Sequence, residues 1–99
     1  MTKPVIVSPE AENDLNEAFL WYENKFSGLG LEFLLCVDAV IESIERNPQI
    51  YPIVHRNIVR RSLTRRFPYE VFFVEGEETV SVIAVFHAKR HPGILEDRV

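Results

Sequence analysis

The residues best able to do chemistry in this 99-residue chain gather in its second half. Arg56, Arg60, Arg61, Arg65 and Arg66 stand between Tyr51 and Val74 with one acid, Glu70, among them. Glu70 can act as a base. His87 can give or take a proton near neutral pH. Arg61, Arg65 and Arg90 can clamp an oxyanion through two donors each. A base, an acid and several guanidiniums are what proton transfer beside an anion requires. The other reactive side chains make no such set. His55 falls in a loop, and His91 precedes Pro92. Cys36 lies beside a helical stripe with no histidine near it in sequence, which makes it a packing residue and not a nucleophile. Three scattered histidines and one cysteine give no metal-ligand spacing. No glycine-rich phosphate loop is present. The sequence therefore implies neither metal nor cofactor.

Charge separates the two halves. Residues 1–50 hold nine acids against Lys3, Lys25 and Arg46, a balance of −6; residues 51–99 hold six acids against eight bases, a balance of +2. A basic patch on an acidic body points to a local anionic or acidic partner, not to a general nucleic-acid coat. The composition is ordinary for one globular domain spanning 1–99. A single cysteine fits a reducing compartment, and the first ten residues do not read as a signal peptide, so the expected location is the cytoplasm. The longest apolar run, Val82 to Phe86, is too short to cross a membrane.

The elements that must carry these groups are legible. Lys3 to Val7 reads as a strand at a sheet edge. Ser8 can cap a helix that Pro9 and Glu10 open. Ala11, Leu15, Ala18, Phe19, Tyr22 and Phe26 make its buried stripe, and Ser27-Gly28 ends it. Trp21 lies next to the stripe and is expected at the sheet edge or in an interface. A second helix runs from about Leu29 to Arg46, with Phe33, Leu34, Val37, Val40, Ile41 and Ile44 inward, and Asn47-Pro48 stops it. The short connection predicts an antiparallel helical hairpin. Gln49 to Asn57 reads as a loop. Strands follow at 58–66, 69–74 and 79–87, with Glu75-Gly76-Glu77-Glu78 as a hairpin turn. The last strand is apolar on both faces and therefore interior. On the basic strand, Val59, Arg61, Leu63 and Arg65 share one face, and Ile58, Arg60, Ser62, Thr64 and Arg66 the other. If Leu63 points at the helices, Arg60 and Arg66 face outward. The predicted fold is α+β, in the order β-α-α-β-β-β, with the hairpin on a twisted antiparallel sheet.

Several of these pieces resemble the RelE/ParE toxin superfamily, and its ParE branch in particular. They are Ala11 to Leu15, Trp21-Tyr22-Glu23, Gly28-Leu29-Gly30, Phe33-Leu34, Asn47-Pro48 and Tyr51-Pro52. The later pieces are Arg60-Arg61, Leu63, Arg66 to Tyr69, Val85 to His87, Arg90 and Pro92. The resemblance spans nearly the whole chain. It implies the toxin half of a bacterial type II toxin–antitoxin pair, held inactive by a cognate antitoxin that wraps its helices and sheet. Freed toxins of the superfamily either block DNA gyrase or cleave mRNA on the ribosome.

Both targets remain open on the residues. Cleavage would use Glu70, His87, Arg61 and Arg90 as the catalytic set. Gyrase inhibition is a binding activity and needs a surface, for which Arg60, Arg65, Arg66, Lys89 and His91 are the candidates. Ribosome-dependent members carry clustered lysines, whereas this chain has only Lys3, Lys25 and Lys89. Counterion release on RNA rewards many cations, so the acidic net charge favours gyrase. A relative that keeps only the fold and the antitoxin contact is a third reading. Self-association is left open by the sequence.

Overall fold

The computed structural model describes residues 3–90 and 92–99, with the side chains of Pro92 and Ile94 also undescribed. The chain runs β1 (Val5–Val7), α1 (Pro9–Lys25), α2 (Leu29–Arg46), a short 3-10 turn (Pro48–Ile50), β2 (Ile53–His55), β3 (Val59–Leu63), β4 (Tyr69–Glu75), β5 (Val80–His87) and a 3-10 segment at Pro92–Arg98. Two helices pack on one face of a five-stranded sheet ordered β1-β5-β4-β3-β2.

The helix boundaries follow the sequence. Ser8 Oγ accepts from Ala11 N–H at 3.1 Å and caps α1. Gly28 takes φ +90° at the hairpin, where a side chain would be strained. Glu23, in the last turns of α1, accepts from the N–H groups of Gly28 (2.9 Å) and Gly30 (3.0 Å) and so caps α2 with a negative charge. A Cβ on Gly30 would lie 2.7 Å from the Phe19 carbonyl oxygen, so the two helices can touch there only through glycine.

Three features depart from the expectation. The sheet is mixed, not purely antiparallel: β1 pairs with β5 in parallel, Val5 opposite Val80 and Val7 opposite Val82. This follows because β1 leads straight into α1, which crosses back over β5. A three-residue strand, β2, lies within the stretch expected as loop; it joins β3 through a turn in which Arg56 (φ +50°) and Asn57 (φ +62°) are both left-handed, the pairing a tight hairpin turn demands. Phe26 is 71% exposed, because the helix has already ended and its backbone is extended.

The sheet is apolar on both faces. Phe33, Val37, Ile44, Val71, Phe73, Val80, Val82 and Val85 fill the layer under the helices. On the outer face Val59, Phe72, Ala84 and Phe86 form a second cluster, which the last segment covers with Leu95. That segment is tied down near its end by two ion pairs. Glu96 pairs with Arg56 of the β2–β3 turn, and Arg98 reaches round the edge of β5 to Asp14 of α1.

The Asp14–Arg98 pair does the work of a missing strand. β1 covers β5 only as far as Val82. Beyond it, Ile83 C=O accepts from Arg98 Nη1 at 3.1 Å and Val85 N–H donates to Asp14 Oδ2 at 3.0 Å. Arg98 Nη1 lies 2.5 Å from Asp14 Oδ2 and Nη2 lies 3.0 Å from Oδ1. This hydrogen bonding to Asp14 holds the Arg98 guanidinium above its ordinary range.

Candidate functional site

The basic residues converge at one end of the sheet. β3 ends there at Leu63, β4 begins at Tyr69 and β5 ends at His87, which pairs with Tyr69. Ala88 N–H donates to Pro68 C=O at 2.7 Å, so the β3–β4 turn and the segment leaving β5 lie side by side. Arg65 and Arg66 of the turn are thus carried at the same end of the sheet as Lys89 and Arg90, although more than twenty residues separate them in sequence. Arg65 and Lys89 are exposed and have no ion pair among the described residues. Arg66 pairs with Glu32 of α2 at 2.7 Å, and this bond raises the guanidinium further above its ordinary range. Its φ is +70°, a left-handed backbone held by Thr64, whose Oγ1 donates to Phe67 C=O at 2.6 Å.

The remaining members of that predicted surface fall elsewhere. Leu63 faces away from the helices and is 59% exposed, because Val59, four residues earlier on the same face of the strand, fills the outer cluster. Arg60 thus lies on the helix side, where Nη1 donates to the carbonyls of Tyr51 (2.6 Å) and Gln49 (3.3 Å) and fastens the α2–β2 connection. His91 lies outside the described residues.

The four residues named for catalysis are not brought together. Glu70 and Arg61 occupy the outer face, where Arg61 Nη1 meets Glu70 Oε2 at 3.2 Å. His87 occupies the opposite face, edge-on to Tyr69 with ring centroids 5.4 Å apart. Its Nδ1 accepts from Lys89 N–H at 3.1 Å, so the neutral ring carries its proton on Nε2. Arg90 stands at the strand end with its guanidinium over Phe86, 4.9 Å from the ring centroid.

His87 instead faces a cavity of about 410 Å³ between α1 and β5, with Tyr22, Tyr69, Trp21, Glu17 and Arg90 also in its wall. Burial raises both phenols above their ordinary range; for Tyr69, Tyr22 adds to this and Arg90 opposes it. Trp21 is 55% exposed at the rim, packed edge-to-face on Tyr22, with Lys25 over its ring. A second cavity, of about 790 Å³, lies between α2 and β3, with Leu35, Val40, Tyr51 and Ser62 in its wall and Arg46, Arg65 and Arg66 also lining it.

Asp14 is the structural residue that sequence reasoning passed over. It stands three residues after Ala11 and four before Ala18, so an acid occupies a position in the buried stripe, and a buried acid needs a cation. That cation, Arg98, is 84 residues away. No helix among the described residues is long and apolar enough to cross a membrane, and no group of three His, Cys, Asp or Glu side chains gathers among them.

Comparison with known proteins agrees with this architecture. The family model described as ParE toxin of type II toxin–antitoxin system, parDE, matches residues 5–92. Toxin ParE2 of Mycobacterium tuberculosis, in strains CDC 1551 and H37Rv alike, is 28% identical over 100 residues, covering 100% of this chain and 94% of the relative. The solved structure titled Chromosomal ParDE TA system from P. aeruginosa superposes with a TM-score of 0.79 at 11% identity, over 87% of this chain and 96% of that one. At that identity the likeness is one of fold.

Proposed function

The chain belongs to the ParE toxin family of type II toxin–antitoxin systems, and from that premise we propose that it arrests growth by binding DNA gyrase and not by cutting RNA. As a toxin of that type it has a cognate antitoxin for its partner.

One observation carries the proposal: the sheet separates the groups that RNA cleavage would need to combine. A metal-free cut requires a base at the 2′-hydroxyl and an acid at the leaving oxygen, both within hydrogen-bond reach of one phosphate. Glu70 and Arg61 neutralise each other on one face while His87 looks into the other. Binding makes no such demand. A surface of exposed cations suffices, and Arg65, Arg66, Lys89 and Arg90 supply one at the strand ends. The net charge of −4 supports the same reading, since it works against docking on RNA.

The test is induced expression in bacteria lacking the antitoxin, with DNA and protein synthesis followed together by pulse labelling. DNA synthesis should fall first. Purified chain should inhibit gyrase supercoiling of relaxed plasmid, and the double charge reversal Arg65→Glu, Lys89→Glu should relieve that inhibition. Glu70→Ala and His87→Ala should remain toxic. Protein synthesis falling first, with toxicity lost in either alanine variant, would overturn the proposal.

A further inference from the structure

β3 leaves part of its backbone unpaired where the cavity between α2 and the sheet opens. β2 meets β3 only through Ile53 opposite Arg60 and His55 opposite Val59. Pro52 C=O still accepts from Arg61 N–H at 3.1 Å, but Pro52 has no N–H to return, and the ladder stops there. Ser62 and Thr64 turn their backbone groups toward β4, and Thr64 N–H donates to Tyr69 C=O at 3.0 Å. By alternation the N–H and C=O of Leu63 point the other way, past the end of β2, and no backbone group of the described residues meets them. Leu63 borders the cavity of about 790 Å³, whose wall includes Leu35, Val40 and Ser62. Cations stand at both of its ends: Arg46 at the C-terminal end of α2, and Arg65 and Arg66 at the end where Glu32 pairs with Arg66. Arg46 and Arg65 have no ion pair among the described residues.

We propose that this groove takes an acidic, extended segment of the antitoxin as a sixth strand, added to the sheet along Arg61 to Leu63. An open ladder edge is satisfied by another strand and not by a helix. The residue of the segment opposite Ser62 faces the helices and fills the apolar wall at Leu35 and Val40. Carboxylates toward the two ends of the segment meet Arg46 on one side and Arg65 on the other. The lengths agree: α2 rises about 21 Å from Glu32 to Arg46, the span of roughly six residues of strand. The occupant follows from the family, since a toxin of this type has an antitoxin for its partner. Arg65 and Arg66 also belong to the cationic strand ends proposed for gyrase, so the segment and gyrase compete for them. That consequence alone rests on the gyrase reading.

Amide hydrogen exchange, followed residue by residue by NMR, tests the placement on the full chain, free and bound to its antitoxin. Leu63 N–H should exchange freely in the free chain and at least about 100-fold more slowly in the complex. Leu63→Pro removes an N–H that the fold does not use. It should weaken antitoxin binding about tenfold, the worth of one hydrogen bond, with Tm nearly unmoved. Leu63→Ala keeps the N–H and should weaken binding less. Arg46→Glu should weaken antitoxin binding about tenfold, and because Arg46 lies away from the strand ends it should leave gyrase inhibition by the free chain unchanged. A free chain that leaves gyrase active would overturn the gyrase reading and not this one. Leu63 N–H left unprotected in the complex, or Leu63→Pro and Arg46→Glu chains that bind the antitoxin as tightly as the parent, would overturn the proposal.

Discussion

Arg98→Ala tests the account of how the last segment is held. Asp14 is 5% exposed, and its carboxylate has three donors: two from Arg98, at 2.5 and 3.0 Å, and Val85 N–H at 3.0 Å. Removing the guanidinium leaves a buried anion with one donor, a change that costs roughly 3–5 kcal/mol. The variant should lose roughly 3–4 kcal/mol against the parent chain at pH 7, part of it from the Ile83 carbonyl that also loses its donor. For a domain of this size the loss at pH 7 lowers Tm by roughly 12–30 °C. Urea titration followed by circular dichroism measures it, with an unchanged slope showing that the folded state remains compact. Replacing both partners, as Asp14→Leu with Arg98→Met, should recover only part of the loss, because Ile83 C=O and Val85 N–H would still lack their partners. A loss under about 1 kcal/mol at pH 7 would refute the argument.

Three further outcomes follow from local geometry. Glu23→Ala should cost about 1–2 kcal/mol by chemical denaturation, since it strips the cap from α2, while Glu23→Gln, which keeps an acceptor, should cost less. Gly30→Ala should cost about 1–3 kcal/mol, because its methyl would meet the Phe19 carbonyl oxygen, which cannot turn aside, as well as the Phe19 ring; calorimetry would read this as a lowered Tm. Arg66→Gly should hold or gain up to about 1 kcal/mol by relieving the left-handed backbone, while Arg66→Ala should not gain, and both should weaken gyrase inhibition if the cationic strand ends are the binding surface.

Much of the fold could be read from the chain because local chemistry decides it. Ser8, Pro9, Gly28 and Asn47-Pro48 set the helix ends with little help from the rest of the molecule, and the 3.6-residue stripes of α1 and α2 point to a shared core. What could not be read depends on residues far apart. β2 is three residues long and two of them are exposed, so no alternation marks it, and it becomes a strand only by pairing with β3. The direction of β1 relative to β5 is invisible locally, since a strand carries no sign of its neighbour's polarity. Asp14 was visible as an acid in an apolar stripe, but its partner was not.

The candidate site turns on a single residue of register. β4 and β5 begin in step at the hairpin, with Glu75 opposite Val80, Val74 opposite Ser81 and Phe73 opposite Val82. Had that register continued, Phe72 would oppose Ile83, Glu70 would oppose Val85, and His87 would lie on the same face of the sheet as Glu70 and Arg61. A bulge intervenes: Phe72 pairs with Ala84, so Ile83 and Ala84 both turn outward and every later residue of β5 changes face. Val85 then joins the core under the helices, Phe86 joins the outer cluster, and His87 faces Tyr69 and the cavity beside α1. The run Val82 to Phe86 conceals this, because residues apolar on both faces accept either register. The bulge also turns Ile83 C=O and Val85 N–H to the open edge, where Asp14 and Arg98 meet them. The inserted residue that separates His87 from Glu70 thus also creates the edge to which the last segment is fastened, and the loss of the cleavage geometry and the docking of that segment have one structural cause.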